Sequence, residues 1–85
     1  MARFRLEFRQ SVAKDLRRVP KSELTRILKR IDALAEEPRP PGCEKLSGQE
    51  RYRIRQGRYR ILYEITDDAL VVTIVKVAHR RHAYR

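Results

Sequence analysis

The spacing of apolar positions changes twice along the chain and predicts strand, helices and strands in that order. Residues 3–9 alternate charged and apolar side chains, which predicts a half-buried strand. From residue 11 onward apolar residues recur at helical spacing as far as residue 35. The Pro/Gly-rich stretch 38–42 then ends the helical pattern. The second half of the chain returns to alternation, so the strands lie at both ends and the helices between them.

Two helices are predicted before residue 38. The first begins at Ser11, an expected N-cap, and is closed by Pro20. We expect Ser22 to cap the second helix, whose apolar stripe is the strongest in the chain. That stripe consists of Leu24, Ile27, Leu28, Ile31, Leu34 and Ala35. Its spacing predicts one face packed against a sheet.

Residues 51–65 alternate on both sides of Gln56-Gly57, which predicts a hairpin. A two-residue loop at Gln56-Gly57 places residue 54 opposite 59 and residue 53 opposite 60. One face of this hairpin then collects the apolar and aromatic side chains of Tyr52, Ile54, Tyr59, Ile61, Tyr63 and Ile65. The other face collects Arg53, Arg55, Arg58 and Arg60. A one-residue slip would mix the two sets, so the pattern itself favours this alternation of faces.

The last predicted strand is the apolar run 70–75, which follows a turn at Asp67-Asp68. Such a run is typical of a strand that is central in a sheet or covered on both faces. Residues 77–85 are expected to leave it as a basic, aromatic tail. The chain is therefore predicted to form one α+β domain over residues 1–85. In it, two helices from the N-terminal half pack on one face of a mainly antiparallel four-stranded sheet, in the order β-α-α-β-β-β.

The net charge of the chain limits the classes of partner that it is expected to bind. Among 85 residues, 21 Lys and Arg against 11 Asp and Glu give a net charge of +10, which indicates a polyanionic partner. Nucleic acid is the first candidate, and an acidic protein fits the same charge. A single cysteine excludes a disulfide scaffold and a multi-cysteine zinc site, and indicates a reducing compartment. No apolar run reaches the length of a membrane span, so we expect a cytoplasmic domain that contacts no membrane.

Four arginines on one open sheet face are the main candidate for chemistry. They form either a solvated basic face or a phosphate site whose guanidinium groups stabilise charge building on a phosphorane. In the tail, His79 and His82 have no nearby carboxylate or cysteine, so no metal site is expected. Tyr84 packs or stacks on a base, and His82 is either an ordinary surface histidine or a proton-transfer group.

Three segments together resemble the RelE-type toxins of the RelE/ParE superfamily. They are Lys45-Leu46-Ser47-Gly48 leading to Tyr52-Arg53-Ile54-Arg55, then Gly57-Arg58-Tyr59-Arg60-Ile61-Leu62-Tyr63, and last the tail from Val77 to Arg85. Each segment alone is weak evidence for the family, but the order and spacing of the three agree with the family pattern over essentially the whole chain. The resemblance implies a RelE-like fold and the toxin of a type II toxin–antitoxin pair.

The same resemblance implies a ribosome-dependent endonuclease that cleaves mRNA codons in the ribosomal A site and inhibits translation. In that chemistry the ribose 2′-OH attacks the adjacent phosphate, and neither a metal nor another cofactor takes part. The implied catalytic residues are Arg60, Arg80, His82 and Tyr84. Arg60 and Arg80 would stabilise the phosphate charge, His82 would transfer a proton, and Tyr84 would stack on or orient the base. The implied RNA-binding residues are Arg53, Arg55, Arg58 and Arg81.

The implied partners are a cognate acidic, RelB-like antitoxin and the 30S A site with its mRNA. Operator DNA would be bound only through the antitoxin. Two other hypotheses about function remain open. One is a ParE-like inhibitor of DNA gyrase, which shares the fold and acts on a protein. The other is a non-catalytic basic module that binds RNA and cleaves nothing.

Overall fold

A computed structural model of the protein describes residues 3–46 and 50–81, which form a sheet with two helices on one face. In chain order the elements are β1 (Arg5–Phe8), α1 (Gln10–Arg17), α2 (Lys21–Ala33), β2 (Glu44–Lys45), β3 (Arg51–Gln56), β4 (Tyr59–Thr66) and β5 (Val71–His79). The strand order across the sheet is β1-β5-β4-β3-β2. β1 runs parallel to β5, and the other neighbours are antiparallel.

The α+β class and the mainly antiparallel sheet are confirmed, and the number of strands was wrong by one. The additional strand, β2, has only two residues, which is too short to produce a detectable alternation. The expectation that the apolar run near residue 70 is central in the sheet is also confirmed, because β5 lies between β1 and β4.

The core lies between the helices and the apolar face of the β3–β4 hairpin. Ile27 and Ile31 of α2 are fully buried with Ile54 and Ile61 of the hairpin.

The prediction that the whole helical stripe packs against the sheet was wrong at Leu28. This residue is 43% exposed, and Phe8 is 48% exposed. Both residues line an open apolar groove between β1, α1 and α2, where the two short helices leave part of the stripe uncovered.

The hairpin register differs from the prediction by two residues. Ile54 lies opposite Ile61 and Gln56 opposite Tyr59, so the loop is Gly57-Arg58 rather than Gln56-Gly57. A shift of two preserves which face each side chain occupies, because the side-chain period of a strand is two. The predicted faces are therefore right although the predicted pairs are wrong. Arg58, however, moves from the strand face into the turn.

Both predicted N-caps are wrong. Arg9 still donates its N–H to the Ile74 carbonyl of the sheet, and α1 begins at the next residue, so Ser11 lies inside the first turn. Pro20 takes the cap position of α2, and its carbonyl accepts the N–H groups of Glu23 and Leu24. Proline suits the start of a helix, since its φ is fixed and no N–H is lost there.

The last strand begins later and ends later than predicted. Leu70 lies in the preceding turn with φ +55, a conformation uncommon for a residue with a branched side chain. The strand then continues to His79, because β4 pairs with it from Val71 to His79 with one irregularity at Val75. Residues 77–79, predicted to lie in the tail, are thus held in the sheet. In the described part of the chain, neither helix has the length and apolar character required to cross a bilayer.

Candidate phosphate-binding site

Three arginines line one small cavity at the turn end of the β3–β4 hairpin. Antiparallel pairing places Arg55 directly opposite Arg60. Arg80 reaches the same place because β5 ends beside Tyr59, and its N–H donates to the Arg58 carbonyl at 2.8 Å. The cavity has a volume of about 70 Å³ and is lined by these three arginines with Gly57 and Tyr59. The fold therefore joins residues from both halves of the hairpin and from the end of the last strand.

The backbone of the turn permits this closeness. Gly57 has φ +60, in the left-handed region that glycine adopts without a Cβ penalty. Tyr59, the first residue of β4, packs edge-on against the His79 ring, with 5.4 Å between the ring centroids and 79° between the planes. Because this contact ties the end of β5 to the start of β4, it positions the backbone from which Arg80 leaves.

Arg60 is the most distinctive side chain of the site. It is only 8% exposed, and it is the one buried polar or charged residue in the part of the chain that the structure describes. Transfer of an ion such as a guanidinium from water into a protein interior carries a free-energy penalty on the order of several kcal/mol. A buried arginine beside two other arginines is a concentration of positive charge that suits an anionic ligand.

Glu44 supplies a carboxylate next to the cavity. Its Oε1 accepts hydrogen bonds from Nη2 of Arg53 at 2.6 Å and from Nε at 3.0 Å. The hydrogen bond with Arg53 lowers the pKa of Glu44, and the charges of Arg53, Arg55 and Arg60 lower it further. Glu44 thus remains ionised and acts as an internal counter-ion at the border of the arginine cluster.

The structure brings together only part of the predicted site. Arg55, Arg60 and Arg80 meet in the cavity. Arg53 lies one pair further along the same face, is 17% exposed and is ion-paired with Glu44. Arg58 and Arg81 are exposed in turns and do not line the cavity. His82 and Tyr84 lie outside the described residues.

Sequence reasoning missed Glu44 and Tyr59 as parts of this site. Glu44 belongs to a strand too short to recognise, and no sequence signal placed it opposite Arg53. Tyr59 was assigned to the apolar face only, although a residue beside a tight turn can contact both faces. Within residues 3–46 and 50–81, no three side chains of His, Cys, Asp or Glu come together as they would around a metal ion.

Comparison with known proteins gives one consistent result. A family described as the ParE toxin of the type II toxin–antitoxin system parDE matches residues 6–84. Toxin RelG of Mycobacterium tuberculosis is 30% identical, over 96% of this chain and 97% of its own length.

The chain belongs to the RelE/ParE family of type II toxins. Solved RelE structures share its fold. The RelE of the RelE–RelB complex from Pyrococcus horikoshii superposes with a TM-score of 0.83 at 32% identity, covering 94% of this chain and 98% of that chain. The M. tuberculosis toxin–antitoxin complex RelBE2 gives a TM-score of 0.83 at 28% identity, covering 94% of both chains. This RelE/ParE toxin therefore carries the arginine cavity on the shared sheet scaffold.

Proposed function

We propose that this toxin is a ribosome-dependent endonuclease that cleaves mRNA in the A site and so inhibits translation. The observation that carries the proposal is the convergence of Arg55, Arg60 and Arg80 on one cavity. Guanidinium groups bind phosphate oxygens in bidentate geometry, and they stay protonated at any physiological pH. A cluster of three therefore suits a phosphodiester whose negative charge increases during reaction.

In the proposed reaction, the 2′-oxygen of one ribose attacks the adjacent phosphorus as the bond from phosphorus to the 5′-oxygen breaks. The products are a 2′,3′-cyclic phosphate and a free 5′-OH. A base removes the proton of the 2′-OH and an acid supplies one to the leaving oxygen, so the protons balance. Arg60 and Arg80 stabilise the charge on the pentacoordinate phosphate. Arg55 binds a neighbouring phosphate together with Arg53 once that residue exchanges Glu44 for RNA.

The tail completes the site in this proposal. Tyr84 stacks on or orients the A-site base, and His82 transfers a proton. Since arginine cannot accept a proton at neutral pH, neither Arg53 nor Arg55 is the general base. Arg58 and Arg81, which are exposed and adjoin cavity-lining residues in the sequence, contact the RNA backbone on either side of the cleaved bond.

The proposed protein partner is an acidic, RelB-like antitoxin. The net charge of +10 favours such a partner, and the related toxins of P. horikoshii and M. tuberculosis were crystallised as RelE–RelB and RelBE2 complexes. The antitoxin would carry the operator-binding surface of the complex. RNA and antitoxin would then compete for the same arginines, so we expect the complex to be inactive.

The test is primer extension on mRNA in translating ribosomes. Wild-type toxin is expected to cut within A-site codons. The Arg60→Ala variant should cut at least tenfold more slowly, and Tyr84→Phe separates stacking from proton transfer, because phenylalanine stacks and has no hydroxyl. An uncut mRNA with folded wild-type toxin would contradict the proposal.

A gyrase inhibitor is the second candidate, because the matching family is described by the name ParE. Such a toxin would act on a protein and would not need an arginine cavity of this kind. DNA supercoiling by purified gyrase, measured with and without the toxin, separates the two. Inhibition of supercoiling together with intact mRNA would favour the gyrase inhibitor. Intact mRNA and unaffected supercoiling together would favour a basic module without catalysis.

A further inference from the structure

Helix α2 carries a row of cations that the cavity does not use. Arg26, Lys29 and Arg30 follow one another at helical spacing, and Arg26 and Lys29 are exposed. With Ala33 and Gln56 they line an open groove of about 300 Å³. Among the described residues, no carboxylate forms an ion pair with any of the three.

Of the row, Arg30 alone lies in the last turn of α2, where a cation stabilises the helix through its dipole. Like charges three and four residues apart on a helix repel one another, and the carboxylates near this row are engaged elsewhere. Asp32 and Glu36 are both ion-paired with Arg3. The Glu23 carboxylate points at the hairpin turn, where its Oε1 would lie 3.9 Å from a Cβ at Gly57. The three cations therefore form a positive surface without an ion-paired carboxylate among the described residues, with Arg26 and Lys29 exposed and Arg30 half-buried.

Two shared arginines connect this row to the phosphate cavity. Arg30 lines both the α2 groove and a second, more open cavity of about 500 Å³ beside Glu44. Arg55 lines that second cavity and the phosphate cavity as well. The passage is open because β2 pairs only with residues 52–53 and leaves the edge of β3 uncovered from Ile54 to Gln56.

We propose that Arg55, Arg30, Arg26 and Lys29 form one track that binds the sugar–phosphate backbone of the RNA strand beyond the cleaved nucleotide. This inference rests on the proposed function and adds a second contact region on the helical side of the sheet. RNA is favoured over an acidic protein because the groove connects, through the cavity beside Glu44, to a cavity suited to phosphate. The described residues that line the groove include no aromatic side chain on which a base could stack, so the contact is with backbone and independent of sequence.

The experiment measures binding to 2′-O-methyl oligoribonucleotides, which lack the attacking hydroxyl and cannot be cleaved. Probes of about 4 and about 16 nucleotides span the usual range for one single-strand site. The helix variant Arg26→Gln/Lys29→Gln/Arg30→Gln should bind the longer probe about tenfold more weakly and reduce the salt slope by about 2, since each lost phosphate contact removes ~0.7. Its affinity for the shorter probe should equal that of wild type.

The matched control is Lys14→Gln/Arg17→Gln/Lys21→Gln, which removes the same charge from exposed positions of the two helices. It should bind both probes as wild type does, and thermal melts should show all three proteins folded. Equal losses in the two variants would overturn the track, because they would indicate only long-range attraction.

Three further outcomes separate the proposals. A helix variant that binds the long probe like wild type overturns the track and leaves the proposed nuclease untouched. A helix variant that keeps RNA affinity but loses affinity for polyglutamate would assign the surface to an acidic protein and overturn the RNA track. If wild type binds neither oligonucleotide, the track and the RNA-binding premise of the proposed function fail together.

Discussion

The two ends of the β3–β4 hairpin carry opposite charge arrangements on the same face of the sheet. At the open end, Arg51 lies opposite Glu64 and its Nη2 is 2.6 Å from Oε2 of that carboxylate. At the turn end, four residues further along β3, Arg55 lies opposite Arg60. Two charged residues that face each other across a strand pair stabilise it when their charges differ in sign and destabilise it when the charges have the same sign. One end is therefore arranged for folding, and the other retains a costly pair that suits an anionic ligand.

The same contrast extends to the surroundings of each end. Glu64 also accepts a hydrogen bond from Arg9, so two cations share it, and nearby Arg39 is ion-paired with Asp67. Around the cavity, by contrast, Glu44 is the carboxylate whose pKa responds to the arginine cluster, and it lies at the border rather than inside. The ion pairs with Glu64 and Asp67 thus lie at one end of the hairpin and the arginine cavity lies at the other.

The largest predicted effect is on the rate of mRNA cleavage. It compares removal of an arginine at the turn end with removal of one at the open end. Arg60→Ala should lower the rate of mRNA cleavage on ribosomes on the order of a hundredfold, as removal of one group that stabilises transition-state charge does. The control Arg51→Ala should cleave at nearly the wild-type rate per folded molecule. Primer extension with folded fractions determined by circular dichroism measures both. Equal losses in the two variants would remove the distinction between the ends.

Removal of the Glu64 carboxylate at the open end should lower the stability of the fold and leave mRNA cleavage unchanged. Glu64→Gln should lower the free energy of unfolding by about 1 kcal/mol, because a charge-assisted pair in which both side chains are 31% exposed is partly protected from water. Urea unfolding measures the change. A variant as stable as wild type would show that the Arg51–Glu64 pair contributes nothing.

The same pair predicts how stability depends on pH. The Arg51 hydrogen bond lowers the pKa of Glu64 below its ordinary value of 4.5, with further contributions from Arg9. A carboxyl group with a lower pKa in the folded state stabilises the fold above its unfolded pKa, and this contribution is lost as pH falls through the folded value. Between about pH 5 and pH 2, wild type should lose more stability than Glu64→Gln. Parallel curves for the two proteins would contradict this assignment.

A smaller effect is expected at the border of the cavity. Glu44→Gln frees Arg53 from its counter-ion and should raise affinity for an uncleavable oligoribonucleotide about two- to fivefold, the range expected for an exposed ion pair. The control Glu7→Gln makes the same change in net charge at the Arg5–Glu7 pair on β1. It should change affinity less than Glu44→Gln does. If the two variants gain equally, net charge alone is responsible.

The sequence was sufficient to predict the class of the fold and the two faces of the hairpin, because alternation survives an error of two residues in the register. It was not sufficient for the pairing itself. Whether a two-residue loop is Gln56-Gly57 or Gly57-Arg58 depends on which residue takes the positive φ, and both choices keep the apolar face intact. This error assigned Arg58 to the strand face and missed the direct pair of Arg55 with Arg60.

The candidate site was predicted in its residue types and only partly in its geometry. Arg60 and Arg80 come from separate strings, and their common cavity depends on β5 continuing to His79, which the mixed character of residues 77–79 concealed. Glu44 could not be predicted, since its role depends on a two-residue strand whose pairing with Arg53 is set by the fold. The helix caps were predicted from residue preference, and the direct passage from β1 into α1 overrode that preference.

The most direct test of the central claim exchanges the charge arrangement of the two ends. Arg55→Glu turns the like pair at the cavity into an opposite pair, and Arg51→Glu turns the ion pair at the open end into a like pair. Urea unfolding midpoints and oligoribonucleotide affinities are measured for both variants and wild type. We predict that Arg55→Glu raises the midpoint and abolishes RNA binding, whereas Arg51→Glu lowers the midpoint and leaves binding nearly unchanged. An Arg55→Glu protein that is less stable than wild type and still binds RNA would contradict the account.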